Sequence, residues 1–245
     1  MQHKTNTDKT EQSKQIEELS RLTGELAHEI KNPLSVIKVN LKLIREELQD
    51  ANFSPSGKGS ESCSKAMRKL AVIEKETDRL EQILDGFLQY VSRTELQLVS
   101  ADINEVVDDM VDFYSPQAQG RKITIRQSLC REALVCRVDV NMLKQAILNL
   151  LINAQQAMSN GGELLIRTER QNNDAVIQIG DTGSGIAPDR LAHIFDGYYS
   201  SRPRGSGLGL PTTRKIVQAH NGSISVNSEE GKGTLFTIKL PLESK

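Results

Sequence analysis

Two stretches in the first hundred residues repeat a spacing of alternating four- and three-residue steps between mostly apolar side chains. The first stretch consists of Ile30, Leu34, Ile37, Leu41, Ile44 and Leu48, and the second of Ile73, Thr77, Leu80, Leu84, Phe87 and Val91. This spacing is a heptad seam along one face of an α-helix. The segment between the stretches, from Asp50 to Ser62, contains one proline and two glycines. It predicts the loop of a helical hairpin.

A hairpin of two such helices buries little of its apolar surface by itself. Ile83 and Leu88 widen the second stripe beyond a two-stranded seam, as a bundle helix requires. We therefore expect residues 16–95 to pair with a second copy as a dimeric helical-hairpin four-helix bundle, so that the protein is a homodimer. The alternative is a monomeric hairpin that packs on the C-terminal half. Residues 1–15 are polar and predict a disordered tail.

From about Ala101 the pattern changes to interleaved strands and helices. We expect helices at 103–119, 140–158 and 208–219, and strands at 122–126, 133–138, 163–168, 175–179, 223–226 and 234–240. Asp139 is expected to cap the second of these helices. This order predicts that residues 101–245 form a compact α/β sandwich with one helical layer on a sheet. Residues 92–100 are the expected linker.

Composition narrows the classes of partner. The net charge of -1, the aromatic content of 4% and the absence of tryptophan give no reason to expect a nucleic-acid partner. Cys63, Cys130 and Cys136 lack metal-site spacing and predict reduced thiols, as in a cytoplasmic protein. No stretch approaches the about 20 apolar residues that a membrane span needs. We expect a cytoplasmic chain without a membrane span, and we expect any membrane sensor to lie outside this sequence.

A histidine with polar neighbours lies near the start of the first heptad stretch. His28 and Asn32 are four residues apart, so they share a helix face outside the seam, and Glu29 adjoins His28. A neutral imidazole has one nitrogen free to attack, and an adjacent carboxylate can take up the proton from the other. Asn32 can orient a phosphoryl oxygen or a water. Pro33 removes a backbone hydrogen bond and predicts a local bend. The alternative is an exposed histidine beside a chance helix kink.

Two motifs in the C-terminal half suit a nucleotide and its metal. Asn149 and Asn153 lie four residues apart on one helix face, where amide oxygens can bind Mg²⁺ that already carries phosphates. Buried structural amides are the alternative. Asp181 follows a predicted strand and can accept a hydrogen bond from an adenine amino group, while Gly183 and Gly185 let the backbone approach the ring. A plain turn is the alternative for this second motif.

A third motif places glycines before a helix. Gly205, Gly207 and Gly209 precede the helix expected at 208–219, where free N–H groups favour phosphate. The motif is neither a Walker loop nor a dinucleotide-binding turn. Arg202 and Arg204 precede it and are predicted to contact the outer phosphate. The segment 186–204 is the predicted lid.

In this order the motifs resemble those of the sensor histidine kinases of two-component signalling, over residues 20–240. His28-Glu29-x-x-Asn32-Pro33 is similar to the phosphoacceptor box of the nitrogen-regulator type. Residues 149–154 resemble the N box, and residues 181–185 and 205–209 resemble the two glycine boxes. The resemblance implies a dimeric phosphotransfer hairpin followed by a Bergerat-type ATP-binding domain of the GHKL group.

The resemblance also implies roles for single residues. His28 would be the phosphoacceptor and Glu29 its base, and Asn32 would serve dephosphorylation of the response regulator. Asn153 would be the main Mg²⁺ ligand and Asp181 the adenine reader. The implied ATP-binding set is Asn149, Asn153, Asp181, Gly183, Gly185, Ile186, Arg202, Arg204, Gly205, Gly207, Leu208 and Gly209.

The implied activity is autophosphorylation of His28 from ATP and Mg²⁺, followed by transfer to an aspartate of a response regulator receiver domain. The lid departs from the family pattern, with Gly197 where proline is common and Arg202 where lysine is common, and Gln156 stands where many kinases carry lysine. One rival is another GHKL ATPase that hydrolyses ATP without a phosphohistidine. A second rival is a non-enzymatic dimer that binds ATP and holds a partner. His193 and His220 are predicted to have surface or packing roles.

Overall fold

The computed structural model describes residues 23–24, 26–27, 29–46, 59–91, 96–199 and 207–243. The chain divides into two compact units, Met1–Val91 and Ser92–Lys245. The predicted tail and most of the predicted hairpin loop lie outside the described residues. Within the described ranges, no helix is long and apolar enough to cross a membrane.

The described part of the first unit contains two helices, α1, whose longest described stretch is residues 29–46, and α2 at Gly59–Val91. Both follow from the heptad periodicity. The prediction that the loop extends to Ser62 is wrong, because α2 begins at Gly59. Polar and acidic residues such as Glu61 are favoured in the first turn of a helix, so the composition that suggested a loop also suits a helix start.

The apolar stripes of the first unit are only partly covered within one chain. Ala66 and Ile83 of α2 are buried, at 8% and 2% exposure. Leu34 and Leu41 of α1 are 50% and 49% exposed, and Leu84 of α2 is 46% exposed. A single hairpin therefore leaves much of its heptad surface open.

The second unit combines two sheets with four helices within its described part. Its elements are β1 Val99–Asp102, α3 Ile103–Gly120, β2 Ile123–Ser128, β3 Val135–Val138, α4 Val140–Ala157, β4 Gly162–Gln171, β5 Asp174–Asp181, α5 Pro188–Leu191, α6 Gly209–Ala219, β6 Ser223–Glu229 and β7 Gly233–Pro241. The larger sheet has the order β2-β4-β5-β7-β6, with β2 and β4 parallel and the other pairs antiparallel. The predicted fold class, a helical region followed by an α/β sandwich, is confirmed.

One strand lies where a linker was expected. β1 pairs with β3 in a separate antiparallel sheet, with Val99 opposite Val138 and Ser100 opposite Arg137. The prediction of a linker through residue 100 is therefore wrong at its C-terminal end. A four-residue strand is too short for its alternation to stand out, and this one depends on a partner almost forty residues away.

The helical layer packs on the larger sheet through α4. Leu143, Ile147 and Leu150 on one face of α4 are buried in a single core with Ile166 of β4 and Ile177 of β5. The N-terminus of α4 is capped by Asp139 as predicted, since its Oδ1 accepts hydrogen bonds from the N–H groups of Asn141 and Met142 at 3.1 Å each. The cap and the core contacts fix the helix that carries the two asparagines.

Candidate nucleotide and phosphotransfer sites

The phosphoacceptor motif is described only in part, because His28 lies outside the described residues. Glu29 is half-buried, and its Oε2 lies 3.9 Å from Nη2 of Arg79 on α2. Arg79 also lies 3.8 Å from Glu76 of its own helix. The structure thus adds Arg79 to the neighbours of Glu29. The sequence carried no signal for this contact, since the two residues are far apart in the chain and meet only through the packing of α1 on α2.

Asn32 and Pro33 follow on the same helix. Asn32 is exposed, as its predicted place outside the seam requires, and Pro33 is buried. The helix runs through Pro33, which has no N–H to donate to the carbonyl of Glu29 one turn earlier. The predicted bend stays a prediction.

The two asparagines of α4 have different surroundings. Nδ2 of Asn149 lies 3.2 Å from the carbonyl oxygen of Gly209 and 3.4 Å from Oγ1 of Thr213, both on α6. Asn153 is half-buried, and its side chain makes no hydrogen bond to any residue that the structure describes. Asn153 is therefore the one of the pair whose amide is available to a ligand, while Asn149 is engaged with α6.

The first glycine motif forms a tight turn at the end of β5. Oδ1 of Asp181 accepts a hydrogen bond from the N–H of Gly183 at 2.8 Å. A Cβ on Gly183 would lie 2.6 Å from Cβ of Ala157 at the end of α4. Gly185 has φ +67°, and a Cβ there would overlap the backbone carbonyl of Glu229. Both glycines are thus required by the packing of the turn itself.

Ile186, the first residue of the predicted lid, is anchored to the sheet. Its N–H donates a hydrogen bond to Oγ of Ser228 at 2.8 Å. Farther along the same segment, Nδ1 of His193 lies 2.9 Å from Oδ2 of Asp196, and the guanidinium of Arg214 lies 5.7 Å from the ring centroid of Phe195. This cation–π contact joins the segment to α6.

The second glycine motif is described from Gly207 onward, so Arg202, Arg204 and Gly205 lie outside the described residues. Gly207 has φ +65°, and a Cβ on it would lie 2.5 Å from the carbonyl carbon of Tyr198. Leu208 is fully buried. At Gly209, by contrast, the nearest atom to a Cβ would be Cγ of Asn149 at 3.8 Å, an ordinary contact. A methyl group at Gly209 would therefore just touch Asn149 of α4, without a clash.

The first turn of α6 suits an anion. Within the described part of the chain no side chain caps this helix. The N–H groups of Gly209 and Leu210 have no intrahelical acceptor, and Pro211 carries no N–H. Such a helix start favours phosphate through its free donors and its dipole.

A bound metal would depend on few protein ligands. In the ranges that the structure covers, no three His, Cys, Asp or Glu side chains are grouped closely enough to hold an ion. Mg²⁺ typically keeps water and substrate phosphate oxygens among its ligands. The amide oxygen of Asn153 fits that requirement as the protein's contribution.

Two family descriptions match the chain. Residues 18–96 match the His Kinase A (phospho-acceptor) domain. Residues 138–244 match the family of histidine kinase-, DNA gyrase B- and HSP90-like ATPases. The sensor histidine kinase ZraS of Salmonella typhi is 33% identical over 241 residues, which are 98% of this chain and 49% of that protein. The chain thus spans about half the length of this curated relative.

Solved structures share the fold. Histidine kinase ThkA in complex with response regulator protein TrrA superposes with a TM-score of 0.75 at 22% identity, covering 94% of this chain and 64% of that one. Full-length ShkA in complex with AMPPNP superposes with a TM-score of 0.64 at 23% identity, covering 87% of this chain and 46% of that one. At these identities the likeness supports the architecture of both units.

Proposed function

Because the chain belongs to the histidine kinase family, we propose that it phosphorylates His28 from ATP and passes the phosphoryl group to an aspartate of a response regulator. The observation that carries the proposal is the uncapped first turn of α6, which lies against the asparagine face of α4 through the contact of Asn149 with Gly209. This arrangement suits nucleotide phosphates. Residues 18–96 of the same chain match the phospho-acceptor domain family.

The first step is an in-line attack on the γ-phosphoryl group of ATP. A ring nitrogen of His28 forms a bond to phosphorus, and the bond from phosphorus to the β,γ-bridging oxygen breaks, so ADP leaves. The other ring nitrogen loses its proton to the carboxylate of Glu29. The N–H groups at the start of α6 hold the phosphates, and the carboxylate of Asp181 accepts from the adenine amino group. Bound Mg²⁺, held by Asn153, would neutralise phosphate charge.

In the second step an aspartate carboxylate of a receiver domain attacks the phosphorus of phosphohistidine, and the histidine nitrogen is the leaving group. Asn32 is exposed on α1, and we propose that it orients a water for the opposing activity, hydrolysis of the aspartyl phosphate. ThkA was crystallised with a response regulator, which supports this class of partner.

The open heptad surface supports a dimer. Leu34, Leu41 and Leu84 are about half exposed in one chain. Fully burying a leucine stabilises a protein by about 1.5–3 kcal/mol, so a second copy that covers these faces would be favoured. We propose a homodimer through the hairpin.

The activity is tested by incubation of the chain with γ-labelled ATP and Mg²⁺. We expect acid-labile, alkali-stable label on the protein, no label on His28→Gln, and labelling of Glu29→Gln slowed by about 10²- to 10⁴-fold. Steady ATP hydrolysis without labelled protein would favour the GHKL ATPase instead. Nucleotide binding that leaves no label and is indifferent to His28→Gln would favour the non-enzymatic dimer.

The nucleotide site is tested separately through Gly209. Gly209→Ala is expected to retain or slightly increase the free energy of unfolding, since alanine suits a helix better than glycine. It is expected to weaken ATP binding by about tenfold or more, because the methyl group would stand beside the N–H groups that a phosphate must approach. Gly120→Ala, where a Cβ meets nothing within 4 Å, is the control and should bind ATP normally.

A further inference from the structure

The side chains of Asn149 and Thr213 and the carbonyl of Gly209 form a closed group of hydrogen bonds between α4 and α6. Oγ1 of Thr213 donates to the carbonyl oxygen of Gly209 at 2.9 Å. Nδ2 of Asn149 approaches both the carbonyl oxygen and Oγ1, at 3.2 and 3.4 Å. Thr213 is fully buried. Its hydroxyl therefore cannot bond to solvent, and it donates its proton to the carbonyl oxygen of Gly209.

These bonds decide which end of the Asn149 amide faces α6. A carbonyl oxygen can only accept hydrogen bonds, and the Thr213 hydroxyl already donates its single proton to that carbonyl. Both atoms therefore require a donor, so the N–H₂ end of Asn149 must face them. The two N–H bonds of the Asn149 amide then point to two acceptors. The orientation of the amide is therefore set within the protein and does not depend on a bound ligand.

These hydrogen bonds lie at the first turn of α6, where we propose that phosphate binds. Gly209 is the first residue of α6, and its carbonyl is held by Asn149 from one side and Thr213 from the other. With the carbonyl fixed, the free N–H groups of this turn have one orientation relative to α4. Preorganised donors bind an anion more tightly than donors that must first be ordered.

We infer that Asn149 and Thr213 are positioning residues that fix the first turn of α6 for phosphate binding, and that Asn149 works through its N–H₂ group and is not a metal ligand. This inference rests on the proposed function and deepens it, because it divides the two asparagines of α4 between different tasks. It also assigns Thr213 a role in the nucleotide site.

The test measures AMPPNP affinity of the full chain with Mg²⁺ and again with EDTA. Thr213→Val keeps the volume and removes the hydroxyl, and it should weaken binding by about tenfold under both conditions, the effect of losing about one hydrogen bond. Thr213→Ser should restore the affinity. Unchanged affinity in Thr213→Val would overturn the inference.

Asn149→Asp separates positioning from metal binding. A carboxylate has no donor for the Gly209 carbonyl, so binding should weaken with Mg²⁺ and with EDTA alike. Asn141→Asp, at an exposed position in the first turn of the same helix, is the matched control and should leave the affinity unchanged under both conditions. If Asn149→Asp binds Mg²⁺-AMPPNP as tightly as the unmodified chain or more tightly, Asn149 is a metal ligand and the inference is wrong.

A stability measurement keeps the inference separate from the proposed function. If the unmodified chain binds no nucleotide, the proposed function fails, but the coupling of the two side chains is still measured by unfolding of Asn149→Ala, Thr213→Val and the double variant. The double variant should change the unfolding constant by less than the product of the single effects. Independent, multiplicative effects would overturn the inference.

Discussion

Nε2 of His220 accepts a hydrogen bond from the backbone N–H of Asp139 at 2.9 Å, joining the end of α6 to the start of α4. His220 is buried, and its Nδ1 lies 2.8 Å from the carbonyl oxygen of Ile216, which fixes the neutral tautomer with the proton on Nδ1. The hydrogen bonds of Asn149 to α6 form a second connection, so the two antiparallel helices are joined at two places along their length. The helices that carry the proposed metal ligand and the proposed phosphate donors are thus fixed relative to each other.

Replacement of His220 should destabilise the second unit. In His220→Leu the buried N–H of Asp139 loses its acceptor, and an unsatisfied buried donor costs about 1–3 kcal/mol. The free energy of unfolding in urea measures this loss. His193→Leu is the control, because His193 is exposed and its contact with Asp196 lies at the surface, so the change should stay within about 0.5 kcal/mol. Equal losses in the two variants would contradict this account of His220.

Two glycines with similar backbone angles should respond differently to alanine. Gly185 and Gly231 have φ +67° and +79°, so alanine costs about 1–2 kcal/mol of backbone strain at each. Only at Gly185 does the Cβ also overlap a carbonyl, that of Glu229. We expect Gly185→Ala to lose about 2–5 kcal/mol of unfolding free energy and Gly231→Ala to lose only the strain. Similar losses would show that the turn after β5 can shift to admit a side chain.

The cap of α4 should make stability depend on pH. Burial alone would raise the pKa of Asp139, but hydrogen bonds from the backbone N–H groups of Gln97, Met142 and Asn141 hold that pKa below its ordinary value. A lowered pKa in the folded state gives stability that is present above the unfolded value of about 3.9 and is lost as the pH falls through the folded value.

Asp139→Asn measures that contribution, because asparagine keeps the shape and removes the charge. The variant should be less stable than the unmodified chain by about 1 kcal/mol at pH 7, and the gap should narrow below about pH 4 as Asp139 becomes protonated. Urea unfolding at several pH values between 3 and 7 gives the comparison. A gap that stays constant or widens toward pH 3 would show that the charge of Asp139 is not the source of the stability.

Thiol reactivity should separate two cysteines. Burial raises the pKa of Cys136 to about 12, with the carboxylates of Asp102 and Asp174 adding to the rise. An ordinary thiol has a pKa of about 8.5, so at pH 8 Cys136 should be alkylated more than a hundredfold more slowly than a thiol in unfolded chain. Cys130 is only half-buried and should react before Cys136 in the folded protein. Peptide mass analysis after iodoacetamide treatment, with and without urea, gives the alkylation rates of the two cysteines. Equal rates for Cys130 and Cys136 in the folded protein would contradict the burial of Cys136.

Local signals account for what the sequence predicted well. The helix α4 was expected at 140–158 and spans Val140–Ala157, because an apolar period and the capping carboxylate of Asp139 both mark it. Strand β1 was missed because its pairing with β3 arises only in the folded unit. The start of α2 was placed late because polar residues suit both a loop and a first helical turn.

Contacts between distant residues account for what the sequence did not show. Asp181, Gly183 and Gly207 stand in recognisable motifs, whereas the contact of Asn149 with Thr213 spans 64 residues and that of Asp139 with His220 spans 81. His220 has no neighbour in the chain that marks its role. The i to i+4 spacing of Gly209 and Thr213 was the one local clue, since a threonine hydroxyl commonly bonds the carbonyl one turn earlier in a helix.

The most direct test of the account is to map the covalent phosphate after the chain has reacted with ATP and Mg²⁺. The protein would be digested and analysed by tandem mass spectrometry at neutral or alkaline pH, where phosphohistidine survives. The proposed kinase activity predicts phosphate on His28, and no phosphopeptide from the His28→Gln chain. ATP hydrolysis by a chain that carries no phosphate at His28, or phosphate on another residue that persists in His28→Gln, would contradict it.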